Sequence, residues 1–222
     1  MANKWIRRKR NSMGYGVQSP SDFHFVRHVL REKLSYYAYS ALEDMVTKHE
    51  DQAPCYPIAI HKLLFRLANH VHPDTIIEVG GNTSIFAMAM ACPSAQCTTI
   101  TSDATRSGVL HSLQVTLPIV EVKNGDEMAI FGQLLREQQH IGILHVAHTP
   151  HYREIVDAAL PYASNRTLLI IEGIHDSKEK RNWWENLQKS ASTGISYDLK
   201  SVGLLFFDRT RHKNTYWINL KD

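Results

Sequence analysis

The segment Thr75-Ile76-Ile77-Glu78-Val79-Gly80-Gly81-Asn82-Thr83-Ser84 constrains this chain more than any other. A short apolar run ends in an acid, a glycine pair follows, and a helix-like stretch runs from Ile85 to Ala91. The pattern predicts a buried strand over Thr75 to Val79, a tight turn and a helix over Ser84 to Ala91, an arrangement in which a nucleotide-like ligand can lie close to bare backbone.

What flanks this segment extends the prediction. Ile58 to His70 repeats Ile60, Leu63, Leu64 and Leu67 at helical spacing. Downstream, strands are expected at Thr98 to Thr101, Ile119 to Val122, Ile141 to Val146 and Thr167 to Ile171. Helices are expected between them, at Arg106 to Val115, Asp126 to Gln139 and Pro150 to Leu160, with another at Ser177 to Ser190. The tail turns to strands at Ile195 to Leu199, Val202 to Phe207 and Thr215 to Leu220. Such alternation implies an α/β, Rossmann-like, mostly parallel sheet with helices on both faces, closed by an antiparallel C-terminal edge.

Residues 1–57 are expected as a helical N-terminal extension and 58–222 as the Rossmann-like domain. The Asp51 to Pro57 stretch, with two prolines, marks the boundary. Within the extension, Ser19 or Ser21 can cap a helix whose first turn holds Pro20, and a second helix is expected over Ser40 to His49.

Composition narrows the function. With 43% hydrophobic and 21% charged residues, the 222-residue chain reads as an ordinary globular protein. It lacks the ~20-residue apolar run of a bilayer span, so no membrane partner is expected. Cys55, Cys92 and Cys97 form no CxxC pair, which argues against a disulfide framework and for a cytoplasmic setting. Up to Lys33 there are eight Lys or Arg against two acids, although the whole chain carries only +3. That basic arm can be solvated, pack on a neighbouring subunit in a homodimer, or touch nucleic acid or acidic lipid. The low total charge disfavours a dedicated nucleic-acid binder.

Ligands of an open parallel sheet sit beyond the carboxyl ends of its strands. That rule selects Glu78, Gly80, Gly81, Asn82 and Ser84 after the first strand, Asp103 after the second, and Gly125 and Asp126 after the third. His145 to His151 and Glu172 to His175 follow the fourth and fifth. In this order the residues resemble the class I S-adenosylmethionine-dependent methyltransferases, in particular their O-methyltransferase-like branch, over about residues 58–220. The Gly-Tyr-Gly-Val-Gln-Ser-Pro turn and Tyr36-Tyr37-Ala38-Tyr39 resemble the N-terminal extension of bacterial members of the group.

The resemblance implies S-adenosylmethionine as cofactor. Glu78 would orient its methionine end, Gly80 would admit it to the backbone, Asp103 would hold the ribose, and Gly125 and Asp126 would line the adenine. Thr101 and Ser102 compete with Asp103 for that place. Ser84 stands where the family usually keeps glycine, and either crowds the cofactor or adds a hydroxyl contact. Ala147 and Gly173 stand where metal-dependent members place ligands, so no divalent-metal site is expected. The base would then be Glu172, His151 or His175. His145, His148 and His151 recur every three residues but cross a proline turn, which disfavours a shared metal.

Plainer roles stand beside these: a ligand-free turn at Gly80-Gly81, and helix caps at Asp103 and Asp126. Cys92 and Cys97 read as core residues, and Trp183-Trp184 as one packed and one solvated ring. The expected function is methyl transfer to a small oxygen or nitrogen nucleophile. The alternatives are a catalytically lapsed binding or assembly protein and an RNA methyltransferase. The latter lacks an Asn-Pro-Pro-Tyr-like motif.

Overall fold

The computed structural model describes residues 2–49, 57–81 and 83–220. Asn82 and most of the Asp51–Pro57 boundary fall outside the described residues. In chain order the elements are α1 (Ala2–Ser12), α2 (Pro20–Phe25) continued by a π-helical turn (Val26–Leu30), α3 (Tyr39–His49) and α4 (Ile58–Val71). Then come β1 (Thr75–Val79), α5 (Ser84–Ala91), β2 (Gln96–Thr101), α6 (Ala104–Gln114), β3 (Val120–Asn124), α7 (Glu127–Gln138), β4 (Ile143–Val146) and α8 (Tyr152–Ala159). The last elements are β5 (Leu168–Glu172), α9 (Lys178–Lys189), β6 (Ser196–Asp198), β7 (Val202–Phe206) and β8 (Thr215–Trp217). Chain contacts group these into two compact units, Ser35–Ser164 and Met1–Leu34 with Asn165–Asp222.

In the Ser35–Ser164 unit the strands run β3-β2-β1-β4, all parallel. Every residue of β1 is buried, as expected for a strand covered on both faces. Helix α5, from Ser84 through Ala89, is buried as well. Helix α4 presents Leu63, Leu64, Leu67 and Ala68 at helical spacing and ends at His72, whose left-handed φ of 49° precedes Pro73. Tyr39 and Leu42 of α3 pack with Phe65 of α4 and Ala87 of α5, and Tyr36 joins them. The Tyr36–Tyr39 segment is therefore part of this core. Each such fully buried side chain is worth about 1.5–3 kcal/mol.

The other unit orders its strands β5-β7-β6-β8, with β7 antiparallel to both β5 and β6 and β8 parallel to β6. The fold class is thus α/β and Rossmann-like, with mostly parallel strand pairing and the expected antiparallel C-terminal edge. Pro20 occupies the first turn of α2 and Ser19 caps it, accepting from the Asp22 amide. Asp22 is buried and accepts from the Tyr197 and Tyr216 hydroxyls, each at 3.0 Å, and from Arg211. Burial, reinforced by Asp22, keeps both phenols protonated, with Tyr216 raised to about 12.

The basic arm is not a loose tail. It forms α1, because Arg8 turns inward and donates to the Asp198 and Ile218 carbonyls at 2.8 Å and to Asp198 Oδ1 at 2.7 Å. Burial alone would raise the pKa of Asp198, but the Arg8 hydrogen bond and charge, with His175 and the Lys200 amide, lower it on balance. A depressed folded pKa means that the contribution is complete above the ordinary carboxylate value of about 3.9 and is lost as pH falls through the folded value. Thermal unfolding followed below pH 5 should therefore show less acid sensitivity in Asp198→Asn than in the parent chain. Equal sensitivity would disprove the assignment.

Candidate functional site

The parallel register decides what Glu78 touches. Glu78 on β1 pairs with Thr99 on β2 and His145 on β4, so the three side chains share one level and one face. Ser84, the first residue of α5, completes the group. Glu78 Oε2 accepts from Ser84 Oγ at 2.7 Å and His145 Nδ1 at 2.8 Å, and Oε1 accepts from Thr99 Oγ1 at 2.9 Å. All four side chains are fully buried. Ser84, the departure from glycine noted above, has its hydroxyl committed to a buried carboxyl group. Low dielectric makes such a satisfied cluster strong and an incomplete one costly.

The glycine turn is wedged between strand ends. Gly80 and Gly81 take φ of 97° and 30°, and both amides donate to the Ile100 carbonyl, at 3.0 and 2.9 Å. A Cβ on Gly81 would lie 2.4 Å from the Thr101 Cβ, and one on Gly80 would lie 3.3 Å from the Ala147 Cβ. Backbone freedom and space both demand glycine here. Arg106 reaches back from α6 and donates through Nη1 to the Gly80 carbonyl at 3.0 Å. Its Nε is buried without a hydrogen bond, 3.5 Å from Asp103 Oδ2.

Asp103 is exposed and caps α6, accepting from the Thr105 and Arg106 amides at 2.8 and 3.1 Å. Asp126, also exposed, caps α7 through the Ala129 amide, and the Gly125 amide donates to the Thr101 carbonyl at 3.1 Å. Both aspartates therefore have the capping role, which leaves Asp103 Oδ2 beside Arg106. Arg106 would have to yield the Gly80 carbonyl for a ligand to use it.

Glu127, the first residue of α7, is buried. Its Oε1 accepts from the Ser102 hydroxyl and amide at 3.1 and 3.4 Å, and its Oε2 from Thr149 Oγ1 at 2.6 Å. It thereby ties the segments after β2 and β4 to α7. The signal in the sequence was the pair of short hydroxyl residues placed just beyond those strands.

The candidate bases divide between the units. His151 is exposed at the start of α8, where its amide donates to Thr149 Oγ1 at 3.2 Å. Glu172 ends β5, is buried, and belongs with His175 to the unit that includes the chain ends. His175 has both ring nitrogens engaged. Arg181 Nε can only donate, so Nδ1 accepts it at 3.0 Å and Nε2–H donates to Asp198 Oδ2 at 2.8 Å. Burial lowers the pKa of the nearby Lys180 against the opposing charges of Asp176 and Glu172.

His145 is buried whereas His148 and His151 are exposed, so the three-residue repeat does not converge. Among the described residues no group of three His, Cys, Asp or Glu side chains is placed to hold a metal ion. Burial raises the thiols of Cys92 and Cys97 to about 11 and about 12, which keeps them inert.

No protein-family model and no curated protein sequence matches the chain. Solved structures do. A methyltransferase from Geobacter sulfurreducens superposes with a TM-score of 0.62 at 16% identity, covering 79% of this chain and 91% of its own. The O-methyltransferase TomG from Streptomyces achromogenes, solved with S-adenosylmethionine, gives 0.60 at 19% identity over 78% and 91%. An O-methyltransferase from Bacillus cereus in complex with S-adenosylhomocysteine gives 0.60 at 14% identity over 75% and 90%. With identities this low and coverage this broad, the likeness is one of architecture: the chain has the fold of the class I O-methyltransferases.

Proposed function

We propose that the protein binds S-adenosylmethionine on the Gly80-Gly81 turn and transfers its methyl group to an oxygen or nitrogen of a small molecule. The observation that carries this reading is the glycine pair wedged between Thr101 and Ala147 at the carboxyl ends of parallel strands, in a fold shared with cofactor-bound O-methyltransferases. Bound there, the cofactor supplies an electrophilic methyl group. The protein's part is to align the acceptor in line and to take its proton. His151 is the base we favour, because His175 is held at both nitrogens and Glu172 is buried.

A second reading, a lapsed enzyme retained as a binding or assembly protein, draws on Arg106. Its bond to the Gly80 carbonyl closes the turn that a ligand would use.

Calorimetric titration with S-adenosylmethionine and S-adenosylhomocysteine tests both. On the first reading the parent chain binds both at micromolar levels and Gly80→Val, strained at φ 97°, does not. Asp103→Asn keeps the cap and is the milder check, weakening binding by about tenfold if the carboxylate holds ribose. Binding gained only in Arg106→Ala would identify a site closed by arginine. No binding by either folded protein would sink the enzyme reading.

A further inference from the structure

Helix α1 is inside out. Its inward face is polar: Arg8 is bonded to Asp198 and Ile218, while Asn11 and Ser12 are only 8% and 4% exposed. The Ser12 hydroxyl accepts the Asn219 amide at 2.7 Å. The exposed side chains of α1 include Trp5 and Ile6, at 63% and 49%, and Met13 in the turn that follows is 48% exposed. Trp5 and Lys9 lie four residues apart on α1, as do Ile6 and Arg10, so each apolar side chain has a cation one turn further on. Lys9 Nζ stands 5.6 Å from the Trp5 ring. The turn that follows α1 adds exposed Tyr15 and, against Gly14, exposed Phe23. No acid occurs among residues 1–21. Bulky apolar side chains set among cations on one helix and the turn after it, while the same helix buries polar groups, mark an interaction surface.

We propose that the exposed side of α1 and the turn after it dock on an anionic lipid surface, with Trp5, Ile6 and Met13 entering the headgroup region and Lys9 and Arg10 meeting lipid phosphates. Two features favour lipid over other acidic partners. Nucleic-acid affinity is carried largely by many cation–phosphate contacts acting together. Arg8 is engaged inside the protein and Arg7 lies over the Trp217 ring at 4.9 Å, so the described side chains of α1 leave only Lys9 and Arg10 for that role. Aliphatic Ile6 and Met13 also have no counterpart on a phosphate backbone, whereas both suit a headgroup boundary.

A two-fold interface with a second copy would press two basic surfaces without an acid together, placing like charges near one another. Membrane partners were not expected from the sequence because it holds no spanning segment. No described helix is long and apolar enough to cross a membrane, and a helix lying on a surface needs no such length.

Flotation of the intact chain with vesicles tests this, using phosphatidylcholine alone and phosphatidylcholine mixed with phosphatidylglycerol. Binding is expected only to the mixed vesicles, weakening with salt. Lys9→Glu/Arg10→Glu and Trp5→Ala/Met13→Ala should each reduce it by about tenfold or more. These side chains are exposed, and circular dichroism should show the variants folded. Trp5 emission should shift to the blue on mixed vesicles, and the shift should vanish in Trp5→Phe.

Failure of the folded parent to float with mixed vesicles would overturn the proposal. So would binding indifferent to both double variants, or a dimer in sedimentation that Trp5→Ala dissolves. Salt-sensitive capture of single-stranded RNA without vesicle binding would overturn it in favour of nucleic acid.

Discussion

Glu78→Leu is expected to lower the unfolding free energy by about 3–5 kcal/mol, measured by urea denaturation. The substitution keeps an apolar volume near that of the original but takes the acceptor from Ser84 Oγ, Thr99 Oγ1 and His145 Nδ1 together. Each buried donor that loses its partner costs about 1–3 kcal/mol, and local adjustment recovers part of that. The diagnostic is non-additivity. Glu78→Leu combined with His145→Phe should be less destabilised than the sum of the two single changes, because it removes both ends of one buried bond. Additive losses would mean that the pair is not coupled, and a loss below about 1 kcal/mol in Glu78→Leu alone would mean that the cluster is readily rehydrated.

Gly203→Val carries the second large expected effect, a loss of about 3 kcal/mol or more, or failure to accumulate as soluble protein. A Cβ at position 203 in β7 would lie 2.7 and 2.8 Å from two Trp184 ring atoms and 3.0 Å from Ile174. Trp184 is fully buried and large, so neither side can give way cheaply. Gly203→Ala should lose less, and Trp184→Phe should restore part of the Gly203→Ala loss by vacating the contact. If Trp184→Phe worsens Gly203→Ala, the clash is not the cause.

These two positions mark what could and could not be read from the sequence. The turn residues Gly80 and Gly81 were legible because backbone conformation is a local property, and the strands and helices around them were legible because periodicity is local too. The bounds of β1 and α5 match expectation to the residue. Gly203 gave no such signal, since the reason for it is a tryptophan on another element.

Glu78 was visible as an acid before a glycine turn. That it faces Thr99 and His145 depends on strand register, which joins residues 21 and 67 positions apart. His145 illustrates the difficulty best: in sequence it looked like the first of three spaced histidines, while in the fold its strand turns it into the core and leaves the other two outside. Arg8 misled in the opposite direction, as one of a run of surface cations that the fold turns inward to Asp198. Glu127 escaped notice because its partners come from two different turns.

The pairing of α1 and α2 with the final strands has a consequence for the order in which this protein can be made. The Ser35–Ser164 unit is continuous in sequence, so its parts are all available once residue 164 has left the ribosome. The first 34 residues are synthesised before it but find their partners last. Asp22 waits for Tyr197 and Tyr216, across 175 and 194 residues, and Arg8 waits for Asp198 across 190. Closing so long a loop is the slow step of such a topology. During translation, then, these 34 residues are a basic, tryptophan-bearing segment whose docking place has yet to be made.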